Sequence, residues 1–132
     1  MATLARPRPL VLIVEDDEDI AESLKTLLES EEFDALSAAD GVLGLERARD
    51  ARPDVILLDM MLPRLDGVGV AHELRRTDAN PPPVVLYSAG WRLEEAAREV
   101  GTPWFLRKPF DIDELLALIR RALASRVTAP AT

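Results

Sequence analysis

The sequence predicts an α/β domain: a doubly wound, five-stranded parallel sheet with helices on both faces. Short apolar runs alternate five times with segments of helical periodicity, the first and third runs are apolar without a break, and both of these stop at acids. A run such as Val55-Ile56-Leu57-Leu58, closed by Asp59, reads as a strand covered on both sides, as in parallel sheets. Strict strand–helix alternation adds right-handed crossovers that distribute the helices over the two faces.

Leu10–Val14 is the first strand, and Ile20, Leu24, Leu27 and Leu28 then recur at the spacing of one helix face. Phe33–Ala38 is a weaker second strand, followed by a helix around Gly41–Arg49 that buries Val42, Leu45 and Ala48. After the third strand, Val55–Leu58, the loop Met60–Asp66 contains Pro63, and Asp66 caps a helix using Val70, Ala71 and Leu74. Pro81-Pro82-Pro83 cannot continue that helix, so Val84–Tyr87 starts afresh as the fourth strand. Leu93, Ala96, Ala97 and Val100 make a short helical face that Gly101 ends. Trp104–Arg107 is the fifth strand, and Asp111 caps a last helix striped by Ile112, Leu115, Leu116, Ile119, Ala122 and Leu123. The expected organisation is a flexible tail at 1–9, one domain at 10–125 and a second flexible tail at 126–132.

Composition narrows the function. A chain of 132 residues, 48% apolar and 30% charged, can bury a single core without staples. The absence of cysteine excludes disulfides, thiolate metal sites and cysteine nucleophiles, and His72 as the only histidine excludes a multi-histidine metal site within one chain. A formal charge of −8 argues against direct binding of nucleic acid or an anionic membrane. With neither a membrane-spanning run nor a secretory h-region, the expected location is the cytoplasm.

Four strands end in polar groups: Glu15-Asp16, Asp59, Ser88 and Lys108. In a parallel sheet these ends point the same way, into the crevice where ligands of open α/β sheets bind. At about 4 Å and an effective dielectric near 20, each pair of converging carboxylates repels by roughly 4 kcal/mol, so a cation is needed. Lys108, one of only two lysines, supplies one charge. An oxygen-rich acidic cluster also suits a hard ion such as Mg²⁺. A hydroxyl, an ammonium and Mg²⁺ around one carboxylate suit a phosphoryl group carried on Asp59.

From about Leu10 to Leu123 these residues resemble the receiver domain of bacterial two-component response regulators, which implies a flavodoxin-like receiver fold with strand order 2-1-3-4-5, an order the receiver fold is already known for. On this resemblance Val14-Glu15-Asp16 is similar to the family's acidic pair, Asp16 ligating Mg²⁺ directly and Glu15 through water. Asp59, in Leu57-Leu58-Asp59-Met60-Met61-Leu62-Pro63-Arg64-Leu65-Asp66-Gly67, resembles the phosphoacceptor, and Met61 would lend the metal its backbone carbonyl. Ser88-Ala89 resembles the switch hydroxyl and its small follower, Lys108-Pro109-Phe110 the lysine motif with a cis peptide, and Phe105 the switch aromatic.

The resemblance implies a phosphoacceptor rather than an enzyme that turns over. A histidine kinase or phosphotransfer protein would donate phosphate to Asp59, and the fourth helix, fifth strand and fifth helix would change to engage a downstream protein or a second copy of the chain. The chain ends soon after the fifth helix, so a stand-alone receiver is expected; docking and onward phosphate relay both stay open. One departure is that Ala89–Gly101 is about two residues short of the familiar pattern. Slow autodephosphorylation is expected, because neither Met61 nor Gly90 can orient a water through a polar side chain; a phosphoryl half-life of seconds with Mg²⁺ would contradict it.

Taken singly, each feature has a plainer reading. Acids after a strand often cap helices, as expected of Asp17 and Asp19; a loop serine is often merely satisfied, and a Lys-Pro step merely a turn. Lys25 reads as a surface charge, and His72 as a surface or partly buried histidine, not a phosphohistidine. Trp91 and Trp104 could anchor a partner, or Trp104 could cover its own core. The alternative function is a receiver-like interaction module that is never phosphorylated, against which the complete acid, hydroxyl and lysine set argues. An aspartate-nucleophile phosphatase would need a second acid where Met61 stands, and a flavin site would not have an acidic first loop.

Overall fold

The computed structural model describes residues 8–90 and 92–128, so Trp91 and most of both expected tails lie outside the described residues. Five parallel strands, β1 (Leu10–Val14), β2 (Asp34–Ala38), β3 (Val55–Asp59), β4 (Val84–Ser88) and β5 (Phe105–Arg107), pair in the order β2-β1-β3-β4-β5. Between and after them come α1 (Glu18–Ser30), α2 (Gly41–Ala51), α3 (Gly67–Thr77), α4 (Leu93–Val100) and α5 (Ile112–Thr128). The predicted fold class and strand order are those observed.

Two hydrophobic layers explain why the strands are apolar on both faces. Leu12, Val14, Ile56, Leu58 and Leu86 pack with Val70, Leu74, Leu93 and Ala97 on the α2–α3–α4 side. Their strand neighbours Val11, Ile13, Leu57, Val85 and Tyr87 pack with Leu24, Leu28, Leu115 and Ile119 on the α1–α5 side. Side chains alternate along a strand, so covering both faces requires apolar residues at every position. Full burial of each such side chain contributes about 1.5–3 kcal/mol.

Side-chain caps start the first three helices. Asp17 accepts from the N–H groups of Asp19 and Ile20, Asp40 from Leu43 and Asp66 from Gly69. Asp17 is thus a cap, as its sequence position indicated. α4, eight residues long, is the shortest described helix and starts without a side-chain cap.

Several details differ from the sequence reading: β2 and β5 each begin one residue later, at Asp34 and Phe105, and of Val42, Leu45 and Ala48 only Ala48 is buried. Ile20 and Ile112 stand 36% and 48% exposed instead of joining their stripes. Both lie in the first turn of a helix, at the edge of the sheet layer, where the periodicity continues but no neighbour covers it. α5 runs on through Val127 and Thr128, which had been assigned to the tail; no glycine or proline interrupts the sequence before Pro130. The chain is also tied to the sheet one residue early, the Pro9 carbonyl accepting from the Asp34 N–H at 2.9 Å.

Candidate functional site

The strand ends bring the acids together. Glu15 follows β1 directly, held by its N–H bond to the Ala38 carbonyl at 3.0 Å. Asp59 is the last residue of β3, and beyond it the Met60 N–H bonds to the Tyr87 carbonyl at 3.0 Å. The chain then folds back tightly enough that a Cβ on Gly67 would lie 2.5 Å from the Asp59 carbonyl oxygen. Only glycine fits there, so Gly67 lets α3 begin against the backbone that presents Asp59.

Glu15, Asp16 and Asp59 each offer an oxygen within 4.8 Å of the others. Glu15 and Asp59 are buried and Asp16 is exposed, so the group opens to solvent on the Asp16 side. Such an all-carboxylate set fits a hard divalent cation and could bind one. The Lys108 ammonium reaches in from beyond β5, its Nζ 3.2 Å from Asp59 Oδ2 and 3.4 Å from Glu15 Oε1. Burial works to lower the Lys108 pKa, but the Asp59 and Glu15 carboxylates outweigh it and hold the ammonium above the usual lysine range.

The lysine is placed by backbone as well as charge. Its N–H bonds to the Ser88 carbonyl at 2.9 Å, and the Lys108–Pro109 peptide is cis, as the resemblance implied. Ser88, 1% exposed, ends β4, and its hydroxyl accepts from the Gly90 N–H at 3.0 Å. The Met61 N–H donates to Asp59 Oδ1 at 3.0 Å while the Met61 side chain projects into solvent. Phe105 is half-buried against the α2–α3–α4 core, four residues after Gly101, which caps α4, and opposite Leu86 in the sheet.

Other candidates lie elsewhere. Trp104 is half-buried against the α1–α5 core, and its carbonyl accepts from the Leu86 N–H, so it covers its own fold. His72 is on α3, with Nε2 3.7 Å from Glu99 Oε2. Lys25 is on α1.

One residue of the group was overlooked. The Tyr87 hydroxyl donates to Glu15 Oε1 at 2.6 Å in the buried interior of the site. Burial first, then the Glu15 hydrogen bond and the charges of Glu15, Asp59 and Asp16, push its pKa far above the usual tyrosine value, so it stays a neutral donor. The available signal was a lone tyrosine closing an apolar strand: a buried phenol needs a polar partner, and the strand end is where the acids gather.

Known proteins share this fold. A family model for the response regulator receiver domain matches residues 11–120. The transcriptional regulatory protein PrrA of Mycobacterium leprae (strain TN) is 41% identical over 120 residues, covering 89% of this chain and 51% of that protein. The DNA-binding dual master transcriptional regulator RpaA of Synechocystis is 36% identical over 118 residues, covering 87% and 49%. The chain thus spans about half the length of these curated relatives. Among solved structures, the receiver domain of the Francisella response regulator 1452 is 34% identical with a TM-score of 0.81, covering 89% of this chain and 98% of that one. A CheY-like receiver domain protein from Methanospirillum hungatei JF-1 shares the fold at a TM-score of 0.85 and 23% identity, covering 93% and 99%. With the family model spanning the sheet from β1 to α5 and an acid pocket at its carboxyl edge, the chain belongs to the response regulator receiver domain family of two-component signalling.

Proposed function

We propose that the chain is a Mg²⁺-dependent phosphoacceptor switch in which Asp59 carries the phosphoryl group. The observation that carries this reading is the surroundings of Asp59: a carboxylate 4% exposed, 3.2 Å from an ammonium, in a group of three acids that a purely structural role does not require. Receiver domains work with histidine kinases, and the donor here is a kinase or phosphotransfer protein bearing a phosphoimidazole. Exposed Ile20 and Ile112 flank a shallow apolar hollow with Phe110, beside the lysine loop, where such a donor could seat.

A carboxylate oxygen of Asp59 forms the new bond to phosphorus as the phosphorus–nitrogen bond breaks, and the imidazole leaves with the electron pair. The Met61 N–H orients the carboxylate through Oδ1. Lys108 moves from the bare carboxylate to the phosphoryl oxygens, and the Ser88 hydroxyl exchanges its Gly90 contact for one of them. Asp16, Asp59 and the Met61 carbonyl, with Glu15 acting through water, would hold Mg²⁺, which when bound would supply neutralisation of the transferred charge. Movement of Ser88 opens space toward Phe105, and that shift biases an equilibrium between two arrangements of the α4–β5–α5 face. That face then engages a downstream protein or a second copy, in the cytoplasm.

Asp59→Asn should abolish labelling from phosphorylated kinase or acetyl phosphate in the presence of Mg²⁺. Undiminished label on this variant would assign the phosphoryl group to another residue.

A further inference from the structure

Tyr87 is the only tyrosine of the chain and is fully buried at the acid site. Its ring meets that of Phe110 edge-on, with centroids 5.9 Å apart, and Lys108 Nζ lies 4.8 Å from its centroid. The hydroxyl bonds to Glu15 Oε1, the same oxygen that faces Lys108, while Glu15 Oε2 accepts from the Asp17 N–H at 3.1 Å. A carboxylate as buried as Glu15 must be satisfied by donors. A second cation would satisfy it and cancel its charge. A phenol satisfies it and leaves the charge in place.

We propose that Tyr87 is a positioning residue of the acid site, holding Glu15 with a neutral donor so that the Glu15 carboxylate keeps its place beside Asp16 and Asp59 and Lys108 stays on Asp59. Without the hydroxyl, the remaining side-chain donor near Glu15 Oε1 is the Lys108 ammonium at 3.4 Å. Coulomb attraction would close that gap, turning the Glu15 carboxylate onto the ammonium and out of its place beside Asp16 and Asp59. The group would then offer a divalent cation one correctly placed oxygen fewer. Phe110 and Lys108 restrain the ring from two sides, which suits a hydroxyl that must keep one direction.

The inference rests on the phosphoacceptor reading, and two measurements separate their failures. In the full chain carrying ring-¹³C tyrosine, Tyr87 gives one set of resonances, which should shift in step with Mg²⁺ saturation. In Tyr87→Phe, Mg²⁺ half-saturation measured by calorimetry should rise about tenfold, the size of one hydrogen bond to a charged group. Acetyl-phosphate labelling at saturating Mg²⁺ should meanwhile stay within about twofold of wild type, a loss of binding rather than of the chemical step. An unchanged half-saturation in a variant that merely melts lower would overturn the proposal, as would tyrosine resonances indifferent to Mg²⁺. Should Tyr87→Phe fail to fold, the wild-type resonances still decide. Resonances that follow Mg²⁺ in a chain that never accepts phosphate would uphold the positioning role and overturn the phosphoacceptor reading alone.

Discussion

Two aspartates bracket β3, and the fold uses them in opposite ways. Asp54, just before the strand, accepts the Leu10 N–H on Oδ2 at 2.7 Å and returns its own N–H to the Leu10 carbonyl at 2.8 Å. That reciprocal pair ties β1 to β3 at the amino edge of the sheet. Nearby, the Thr102 hydroxyl does similar work for β4, donating to the Val84 carbonyl at 2.6 Å. At the carboxyl edge Asp59 accepts the Met61 N–H on Oδ1 but also faces the charged side chains of Glu15, Asp16 and Lys108. Polar side chains at one edge complete the sheet, whereas those at the other gather like charge that the sheet does not need. Charge held against its own repulsion is the mark of a site kept for binding or chemistry.

Removing each aspartate should therefore give opposite results, and this is the largest expected effect. Asp59→Asn should lose labelling entirely yet melt higher. The group holds three carboxylates against one ammonium, and deleting one acid relieves repulsion by on the order of 1 kcal/mol after screening at the exposed Asp16 side. Asp54→Ala should keep labelling and melt lower, by about 1 kcal/mol for a lost backbone hydrogen bond. Thermal unfolding of the two variants beside wild type checks both signs. A destabilised Asp59→Asn would mean that the lysine attraction outweighs the acid repulsion and that Asp59 is structural after all.

The same contrast explains what was legible in the sequence. Strand ends were readable because burial on both faces leaves unbroken apolar runs, so Asp59 and Ser88 mark their strands' last positions within a residue. The polar groups at those ends followed once the strands were taken as parallel. Tyr87 was missed because it satisfies the apolar pattern of β4 with its ring and reaches Glu15 only with its hydroxyl, a distinction that residue type alone does not draw. Ile20 and Ile112 were misplaced for a different reason: periodicity gives the angle of a side chain around its helix but not whether the neighbouring layer extends that far. The Leu10–Asp54 pair depends on strand register across a long sequence separation, which no local pattern encodes.

Alkaline pH should sharpen the comparison next. Tyr87 and Lys108 both hold their protons more tightly when folded than free, the first mainly through burial, the second through Asp59 and Glu15 despite burial. Unfolded, they release protons near about 10 and 10.4. Above those values the unfolded chain binds fewer protons than the folded one, so stability falls as pH rises, whereas below them both contributions are fully present. The slope reaches up to about 1.4 kcal/mol per pH unit for the buried Tyr87, and the partly exposed Lys108 acts with the same sign. Denaturant midpoints between neutral pH and pH about 11 should fall steeply in wild type and Asp54→Ala alike, and less steeply in Tyr87→Phe and Lys108→Met. Tyrosinate absorbance that appears while the chain is still folded would contradict the burial of the Tyr87 hydroxyl.

The smallest effect, and the most selective, is the response to Mg²⁺. A cation that binds the folded chain alone stabilises it by RT ln(1 + [L]/Kd), about 0.4 kcal/mol where the free cation equals Kd. Wild type and Asp54→Ala should gain this equally, because the Asp54 carboxylate stands at the β1–β3 junction on the amino edge, away from the acid group. Asp59→Asn should gain less, having surrendered one of the three carboxylate charges that lie within 4.8 Å of each other. Lys108→Met should gain more than wild type, since the same acids then face a divalent ion without a resident ammonium competing for Asp59 and Glu15. Thermal shifts across a Mg²⁺ series, with Ca²⁺ as a larger cation for contrast, measure all four chains on one scale. Equal shifts in wild type and Asp59→Asn would place the cation away from the carboxyl edge, and the two ends of β3 would then differ in hydrogen bonding alone.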